Sequence, residues 1–404
     1  MYLLLLDTIL VFLMLNAGIA LYGHFNSEVY AVVTPNSQDI ILPSERLDTL
    51  KIDFDKFQQL YYYYDDTQIL RLWLETWSLI SGEVCDEDTL FRLRPTQGVY
   101  VNMTEVGFRP VSPQGPWPPD DKAYNVFFFG GSTAFGLGVA DNLTVAAWLQ
   151  DHIRRSTGSD AINVYNFGAI AHASLQERWR FEALVRDGHI PDLAIFLDGM
   201  NDFDYYRSQL IDDPDVYCEP PLDNSMRWDN TLACRHDEMC LPMQRLAITL
   251  GIHRNPETRT FAEMAGVEIA PEAPVDDEAA NRLVIERWLD NKQAIEILAA
   301  EHSIQTLFVK QPVPIYAYDL QYHAFADSPE ALGGHVRPMY GYPLWEAMAN
   351  SPDATWTDNF VDLSRLGEDN TGPIYITLTH YTSDFSNEIA QAINDVLIER
   401  GIIE

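Results

Sequence analysis

The stretch YNVFFFGGST, residues 124–133, decides how this chain folds. Its first six residues form an almost continuous apolar run, which is typical of a strand that is buried on both faces. Two glycines and a serine follow directly, so we expect the strand to end in a tight turn. A strand covered on both sides belongs inside a parallel sheet that carries helices on either face.

Helix and strand patterns alternate on the C-terminal side of this stretch. Apolar residues recur at helical spacing at Val145, Trp148, Leu149 and Ile153. Further strands are predicted at 162–167, 193–197 and 305–310, and further helices at 174–187, 281–302 and 384–399. This alternation predicts an α/β domain with a parallel central sheet over residues 124–404.

The composition excludes two broad classes of protein. The chain has 404 residues, with 26 Lys and Arg against 60 Asp and Glu, which gives a net charge of −34. Hydrophobic residues make up 47% of the chain, so a disordered protein is excluded. The negative charge repels phosphate and no basic run offsets it, so we expect no nucleic-acid partner.

The N-terminus carries a candidate membrane segment. Residues 2–22 are long and apolar enough to span a bilayer. Their twelve Leu, Ile, Val and Phe residues contribute about −4 to −7 kcal/mol to insertion, whereas Asp7 costs about 3 kcal/mol at most. We predict a transmembrane anchor or signal segment over residues 1–23, and favour the anchor because Gly18-Ile-Ala20 is a weak cleavage site. The rest of the chain suggests that the protein faces the periplasm or the cell exterior.

Two further segments flank or interrupt the α/β pattern. Residues 24–123 are predicted as a helical stalk, or a helix packed behind the anchor, followed by a turn-rich linker. The linker ends in PQGPWPP, residues 113–119. Residues 203–280 are predicted as an insertion that covers the functional site, because a connection this long is uncommon in a compact domain.

The four cysteines are Cys85, Cys218, Cys234 and Cys240. An even number in an exported chain is compatible with two disulfides, although the spacing does not define their pairing. The stretch 234–240 lacks a CxxC pair, so disulfides or free thiols are favoured there over a metal site. We predict no metal and no cofactor.

Polar residues stand at the predicted strand ends. Ser132 follows the first strand, Gly168 the second and Asn201 the third, while His380 precedes the last helix. Ligands of open parallel sheets bind at the carboxyl ends of the strands, so we expect these four residues to meet at one edge. A hydroxyl, an imidazole, a glycine N–H and a side-chain amide are the groups that acyl transfer requires.

Each of these residues has a predicted role. His380 takes the proton of the Ser132 hydroxyl, which then attacks an acyl carbon. The N–H groups of Ser132 and Gly168 and the amide of Asn201 are predicted to form an oxyanion hole, each donor contributing about 3–4 kcal/mol. Asp202 is a candidate to support this site, with a capping role as the alternative. The other nine histidines are given a structural role.

The four blocks GGSTAFG, NFG, GMND and TLTHYT resemble, in their order, those of the SGNH (GDSL-like) hydrolases over about residues 126–390. The resemblance implies a flavodoxin-like three-layer α/β/α fold, the SGNH hydrolase fold, and a serine ester hydrolase with Ser132 and His380 as catalytic residues. An apolar segment followed by a stalk looks like the membrane-attached members of bacterial envelopes.

Two positions depart from the pattern of the family. Gly131 replaces the Asp of Gly-Asp-Ser, at a position that mainly shapes the turn. Thr377 stands where the family has the Asp that orients the histidine, and loss of that carboxylate in a serine protease lowers kcat about 10⁴-fold. Three possibilities remain open. The site works as a Ser–His dyad held by a backbone carbonyl or the Thr377 hydroxyl, it uses another carboxylate such as Asp362 or Asp384, or it is impaired.

The sequence therefore predicts a membrane-anchored serine esterase that acts on small O-acyl esters of carbohydrate or lipid. The alternative is an O-acetyltransferase or a domain that binds acylated glycans without turning them over, because Thr377 replaces the expected Asp. The α/β-hydrolase elbow is disfavoured because Ser132 follows the first clear strand of the domain.

Overall fold

The computed structural model describes residues 54–80, 83–86, 89–204 and 273–403. The predicted anchor at 1–23 and most of the predicted insertion at 203–280 lie outside these residues. Among the helices described, none is both long and apolar enough to cross a membrane. Cys85 lies in a described strand, and the other three cysteines lie outside, so the disulfides stay a prediction.

Helices and strands alternate from residue 124 onward, as the apolar patterns predicted. The helices are α1 (Phe54–Leu60), α2 (Asp66–Ile80), α3 (Ser132–Phe135), α4 (Val145–Thr157), α5 (Ser174–Arg186), α6 (Met200–Asp204), α7 (Glu278–Glu301), α8 (Pro338–Ala349) and α9 (Ser383–Glu399). The strands are β1 (Glu83–Asp86), β2 (Leu90–Leu93), β3 (Tyr124–Gly130), β4 (Ile162–Asn166), β5 (Leu193–Asp198), β6 (Gln305–Lys310) and β7 (Phe360–Asp362). β1 and β2 pair as a small antiparallel ribbon.

The central sheet is parallel and has the strand order β4-β3-β5-β6-β7. Counted from β3, this is the order 2-1-3-4-5 of flavodoxin-like folds. The order reverses at β3, which has β4 on one side and β5 on the other. A crevice opens at the carboxyl end of a strand at such a switch point, and β3 is the strand that leads into Ser132.

Alternate residues of β3 enter two separate hydrophobic cores. Val126 and Phe128 pack in the core beneath α4 and α9, whereas Phe127 and Phe129 pack in the core beneath α5 and α7. Side chains of a strand point alternately to the two faces of the sheet, so an unbroken apolar run is what a strand covered on both sides needs. The result is a three-layer α/β/α domain.

The helices α1 and α2 pack on this domain. Their apolar side chains share one core with Phe135 and Leu137, which follow Ser132, and with Ile376, which precedes His380. The Tyr61 hydroxyl also donates to the Gly138 carbonyl at 2.6 Å. The apolar face of these helices is thus buried against the turns that carry the site.

Arg109 joins the predicted linker to the same region. Its guanidinium is fully buried and donates to the carbonyls of Phe135, Gly136 and Val139 at 2.6–3.0 Å. It also pairs with Asp141 at 2.8 Å. Arg109 therefore supports the turn after Ser132.

Candidate active site

Ser132 and His380 meet although 248 positions separate them in the chain. Ser132 is the first residue of α3, directly after β3 and two glycines, and its Oγ lies 2.9 Å from His380 Nε2. For Nε2 to accept the hydroxyl proton, the ring must carry its own proton on Nδ1. This is the contact that a serine nucleophile and its base require.

A short backbone turn holds His380 in place. The Ile376 N–H donates to the His380 carbonyl at 2.8 Å, and the Thr382 N–H donates to the Ile374 carbonyl at 2.9 Å. The side of the turn is fixed by His323, whose Nε2 lies 3.2 Å from the Leu378 carbonyl. The imidazole of His380 is thus presented from a closed loop of a few residues directly before α9.

Thr377 occupies the place of the missing carboxylate. Its Oγ1 lies 2.6 Å from His380 Nδ1 and also accepts the backbone N–H groups of Thr379 and His380 at 3.2–3.3 Å. The two carboxylates offered as substitutes are engaged elsewhere, since Asp362 binds Lys310 and Asp384 binds the Tyr62 hydroxyl. Within the described residues, the arrangement is that of a Ser–His dyad held by a threonine hydroxyl.

The environment keeps the imidazole of His380 uncharged. Burial, together with the positive charge of nearby His335, lowers the pKa of His380 to about 3. Near pH 7 the ring is therefore a neutral base that can accept a proton from Ser132. The threonine hydroxyl orients this ring but, unlike a carboxylate, supplies no negative charge to the protonated form.

The side-chain amide of Asn201 lies next to the serine turn. Asn201 belongs to α6, directly after β5, and its Nδ2 donates one hydrogen to the His172 carbonyl at 2.6 Å. A side-chain carbon on Gly131 would come within 2.3 Å of this Nδ2. The glycine that replaces the Asp of the family pattern therefore lets the amide approach the backbone before Ser132.

Gly168 does not present its N–H to the pocket, contrary to the prediction. That N–H donates to Asn166 Oδ1 at 3.0 Å, two residues earlier, in a local side-chain turn. A side-chain carbon at Gly168 would meet Phe135 N at 2.4 Å, so the glycine is required for the close contact with α3. Its role is to support the serine turn.

Ala171 is a site residue that the sequence did not indicate. Its φ is +59°, a left-handed conformation that alanine rarely adopts, and it lines the pocket beside Ser132. No hydrogen bond to its N–H is formed by the described residues. Strained backbone of this kind is concentrated at functional sites. An alanine in a turn carries no sequence signal for this conformation, so the pattern could not have revealed it.

Asp202 binds the start of an earlier helix. It is buried, and its Oδ1 accepts from the Ser174 hydroxyl at 2.6 Å and the Ser174 N–H at 3.3 Å. Ser174 is the first residue of α5. Asp202 thus ties the start of α5 to the turn of Asn201 and is not among the residues that line the pocket.

The pocket also contains a second histidine. His335 Nδ1 lies 2.5 Å from Asp204 Oδ2, and both residues line the same cavity of about 140 Å³ as Ser132, Asn201 and His380. His335 is one of the nine histidines that were given a structural role, and its place in this cavity was not predicted. No metal-binding group of three side chains is present among the described residues.

A serine hydroxyl and an imidazole in contact at the carboxyl edge of a parallel sheet of order 2-1-3-4-5 form an arrangement similar to that of the SGNH hydrolases. No family model matches the chain, and no curated protein does.

Solved structures similar to this chain are known from bacteria. A GDSL-like lipase from Bacteroides thetaiotaomicron is 13% identical, over 70% of this chain and 91% of that one, with a TM-score of 0.33. A candidate acylhydrolase from Bacteroides fragilis is 17% identical, over 69% and 90%, with a TM-score of 0.31. The acetyl xylan esterase AlAXEase is 12% identical, over 68% and 99%, with a TM-score of 0.26.

Proposed function

We propose that this protein is a serine ester hydrolase that works through an acyl-enzyme on Ser132. The observation that carries this proposal is the 2.9 Å contact between Ser132 Oγ and His380 Nε2 at the mouth of a pocket. The neutral state of the imidazole supports it, because only the uncharged ring can accept the hydroxyl proton.

In the first half of the reaction, Ser132 Oγ attacks the carbonyl carbon of the ester and His380 Nε2 takes the hydroxyl proton. The carbonyl oxygen becomes negative and needs donors that are already in place. We assign the N–H groups of Ser132 and Ala171 and the second hydrogen of Asn201 Nδ2 to this role. Ala171 takes the part first predicted for Gly168, because it lines the pocket and its N–H is not engaged by a described residue.

When the bond between the acyl carbon and the alcohol oxygen breaks, the alcohol takes up a proton from solvent and leaves. In the second half, water attacks the acyl-enzyme and gives up a proton to solvent, and the acid leaves Ser132, which recovers its proton from His380. The Thr377 hydroxyl keeps the ring in one orientation during both steps, because its oxygen accepts a hydrogen bond from Nδ1–H. A slower enzyme than one with a full triad is the expected consequence.

The substrate class proposed is a small O-acyl ester, such as an acetyl group on carbohydrate or lipid. The cavity of about 140 Å³ suits a short acyl group. Leu137, Ile170 and Met200 supply apolar lining, while Gln311 and Thr379 supply polar lining for an alcohol that carries hydroxyl groups.

We further propose that residues 1–23 attach the protein to a membrane and that the hydrolase domain lies on the extracytoplasmic side. The apolar run at 2–22 supports this location. Protease treatment of cells whose outer membrane has been removed is the test: an extracytoplasmic domain is digested, whereas a domain that stays protected until the cells are lysed contradicts the proposal.

Fluorophosphonate labelling tests the proposed nucleophile. We expect the purified protein to be labelled at Ser132 and to release acid from acetyl esters, and the Ser132→Ala variant to lose both properties. Equal labelling of the two proteins would exclude Ser132. If neither is labelled, and acetylated oligosaccharide still binds, the domain is a binder of acyl groups and not an enzyme.

A further inference from the structure

The pocket holds a second imidazole–carboxylate pair that the proposed reaction has not yet used. Asp204 is almost fully buried, with a side chain 7% exposed, and His335 is 35% exposed. Their Nδ1–Oδ2 distance of 2.5 Å fixes the ring and leaves Nε2 as the nitrogen that can reach the cavity. Within the described part of the chain, no hydrogen bond occupies that Nε2.

Asp204 is placed by the element that carries the oxyanion donor. It lies three residues after Asn201 in α6, and residues at this spacing lie on the same side of a helix. His335 comes from the loop before α8 and reaches the pocket from a different segment than His380. Its positive charge is close enough to His380 to lower the pKa of that ring.

We infer that His335, held by Asp204, is a second acid–base residue of this site, which protonates the departing alcohol and then deprotonates the attacking water. The inference rests on the proposed ester hydrolase and extends it to the alcohol side of the substrate. His335 is oriented by a carboxylate, whereas His380 is oriented only by the Thr377 hydroxyl.

The proton balance closes over one cycle. In acylation, Ser132 transfers its proton to His380, and when the bond between the acyl carbon and the alcohol oxygen breaks, that oxygen takes a proton from His335 Nε2. In deacylation, water bonds to the acyl carbon and gives a proton to His335, while His380 returns its proton to the departing Ser132 Oγ. The net reaction is ester and water to acid and alcohol.

The environments of the two imidazoles suit these opposite tasks. The hydrogen bond that His335 donates to Asp204 raises the pKa of His335, whereas burial lowers the pKa of His380. His335 is therefore the ring that holds a proton more firmly, and His380 is the ring that is free to accept one. Two titratable groups in one site whose pKa values are driven apart are the usual mark of an acid and a base.

Leaving-group dependence is the readout that separates this role from a structural one. p-Nitrophenolate leaves without a proton, whereas the alkoxide from ethyl acetate needs one. In His335→Gln, we expect kcat/KM to fall for both esters. The fall for ethyl acetate should be about 100-fold larger than the fall for p-nitrophenyl acetate. Asp204→Asn keeps the imidazole and should show the same selective loss, but a smaller one.

Controls keep the two proposals separate. His152→Gln changes a histidine that binds Asn387 away from the pocket and should reduce neither activity. Equal losses on both esters in His335→Gln, or no loss on either, would overturn the role of His335 while the serine mechanism stands. Failure of the unaltered protein to form an acyl-enzyme with p-nitrophenyl acetate would overturn the hydrolase itself. Asp204→Asn decides the matter if His335→Gln does not fold.

Discussion

At the position that orients the imidazole of His380, Thr377 supplies a hydroxyl where the family pattern has a charged Asp. The hydroxyl fixes the ring through the 2.6 Å contact with His380 Nδ1, but it cannot stabilise the imidazolium. His380 is consequently a base that holds a proton weakly, with a pKa of about 3 instead of the ordinary 6.5. Because the unfolded chain binds this proton more tightly, His380 also makes the fold less stable as the pH falls below about 6.5.

A carboxylate at this position should change the pH profile of the enzyme. In Thr377→Asp, the new charge stabilises the imidazolium, so the pKa of His380 rises and the acid limb of kcat/KM moves to higher pH. At pH 8, where the ring is neutral in both proteins, we expect turnover to rise about 10-fold or more. The measurement is kcat/KM for p-nitrophenyl acetate between pH 4 and 9.

Thr377→Ser is the matched control, since it keeps the hydroxyl and should keep the original profile. An acid limb that does not move in Thr377→Asp would show that the residue at 377 does not govern the protonation of His380.

At the residue scale, the motifs predicted the residues that meet at the site, but they did not predict the other residues that line it. Ser132, Asn201 and His380 could be placed because each stands at the end of a predicted element. The donor at Ala171 could not, because its role lies in a backbone angle and not in a side chain. His335 was missed because its partner Asp204 is remote in sequence and only the fold joins them.

The element that carries the nucleophile, α3, is only four residues long and depends on its neighbours. β4 ends in Asn166, whose side-chain amide donates to the Ala134 carbonyl at 3.0 Å. Gly168 then passes directly beneath the backbone of Ala134 and Phe135. Asn166 and Gly168, at the end of β4 and just after it, thus support the backbone of the serine turn from below.

A methyl group at Gly168 should displace the backbone of the serine turn. In Gly168→Ala, the added carbon would lie 2.4 Å from Phe135 N and 2.7 Å from Ala134 C, and both are backbone atoms that cannot rotate away. We expect a loss of about 2–3 kcal/mol in the free energy of unfolding, together with a fall in kcat. Urea denaturation and p-nitrophenyl acetate turnover measure the two effects.

Gly372→Ala provides the comparison, because an added carbon there meets nothing within 4 Å. If the two variants are equally stable, the close packing at Gly168 carries little energy.

At the element scale, long apolar patterns were predictable and short elements were not. The strands β3, β5 and β6 agree with the predicted runs because they are continuous and buried. The helix α8 escaped prediction because Gly341 and Pro343 lie inside it, and both residues normally argue against a helix. β7 has only three residues, too few to show a period.

At the scale of the whole molecule, a pair of carboxyl groups is buried between the central sheet and a helix that covers it. Glu177 of α5 is in hydrogen-bond contact with Asp198 at the end of β5, and both are almost fully buried. Burial and the charge of Asp198 raise the pKa of Glu177 well above its ordinary value. Glu177 therefore holds a proton in the folded state at a pH where the unfolded chain releases it.

This pair should make the domain less stable as the pH rises. Above about 4.5, the ordinary pKa of Glu177, each pH unit costs up to about 1.4 kcal/mol until the folded-state pKa is passed. Glu177→Gln keeps a donor for Asp198 and removes the proton, so its stability relative to the unaltered protein should increase between pH 5 and pH 7.

Urea denaturation at the two pH values measures this difference. The exposed Glu278 on α7 gives the control variant Glu278→Gln, which should show no such increase. A parallel pH dependence in Glu177→Gln and the unaltered protein would rule out a retained proton on Glu177.

Arg109 connects the N-terminal part of the described chain to the catalytic turn. In Arg109→Met, three carbonyl groups and the Asp141 carboxylate each lose the donor that the buried guanidinium supplies. We expect a loss of about 3–5 kcal/mol in the free energy of unfolding. Arg155→Met removes an exposed ion pair with Asp151 and should cost less than about 1 kcal/mol in the same denaturation experiment.

Asn201 and Asp204 share one turn of α6, and this has a consequence for attempts to alter the enzyme. A displacement of that turn moves the amide that faces the developing negative oxygen and, in the same motion, the carboxylate that aims His335. Charge stabilisation and proton delivery are thereby mechanically coupled. Substitutions in α6 that are meant to change which alcohol is accepted would therefore lower turnover first. The loop that carries His335 is the better place for such substitutions.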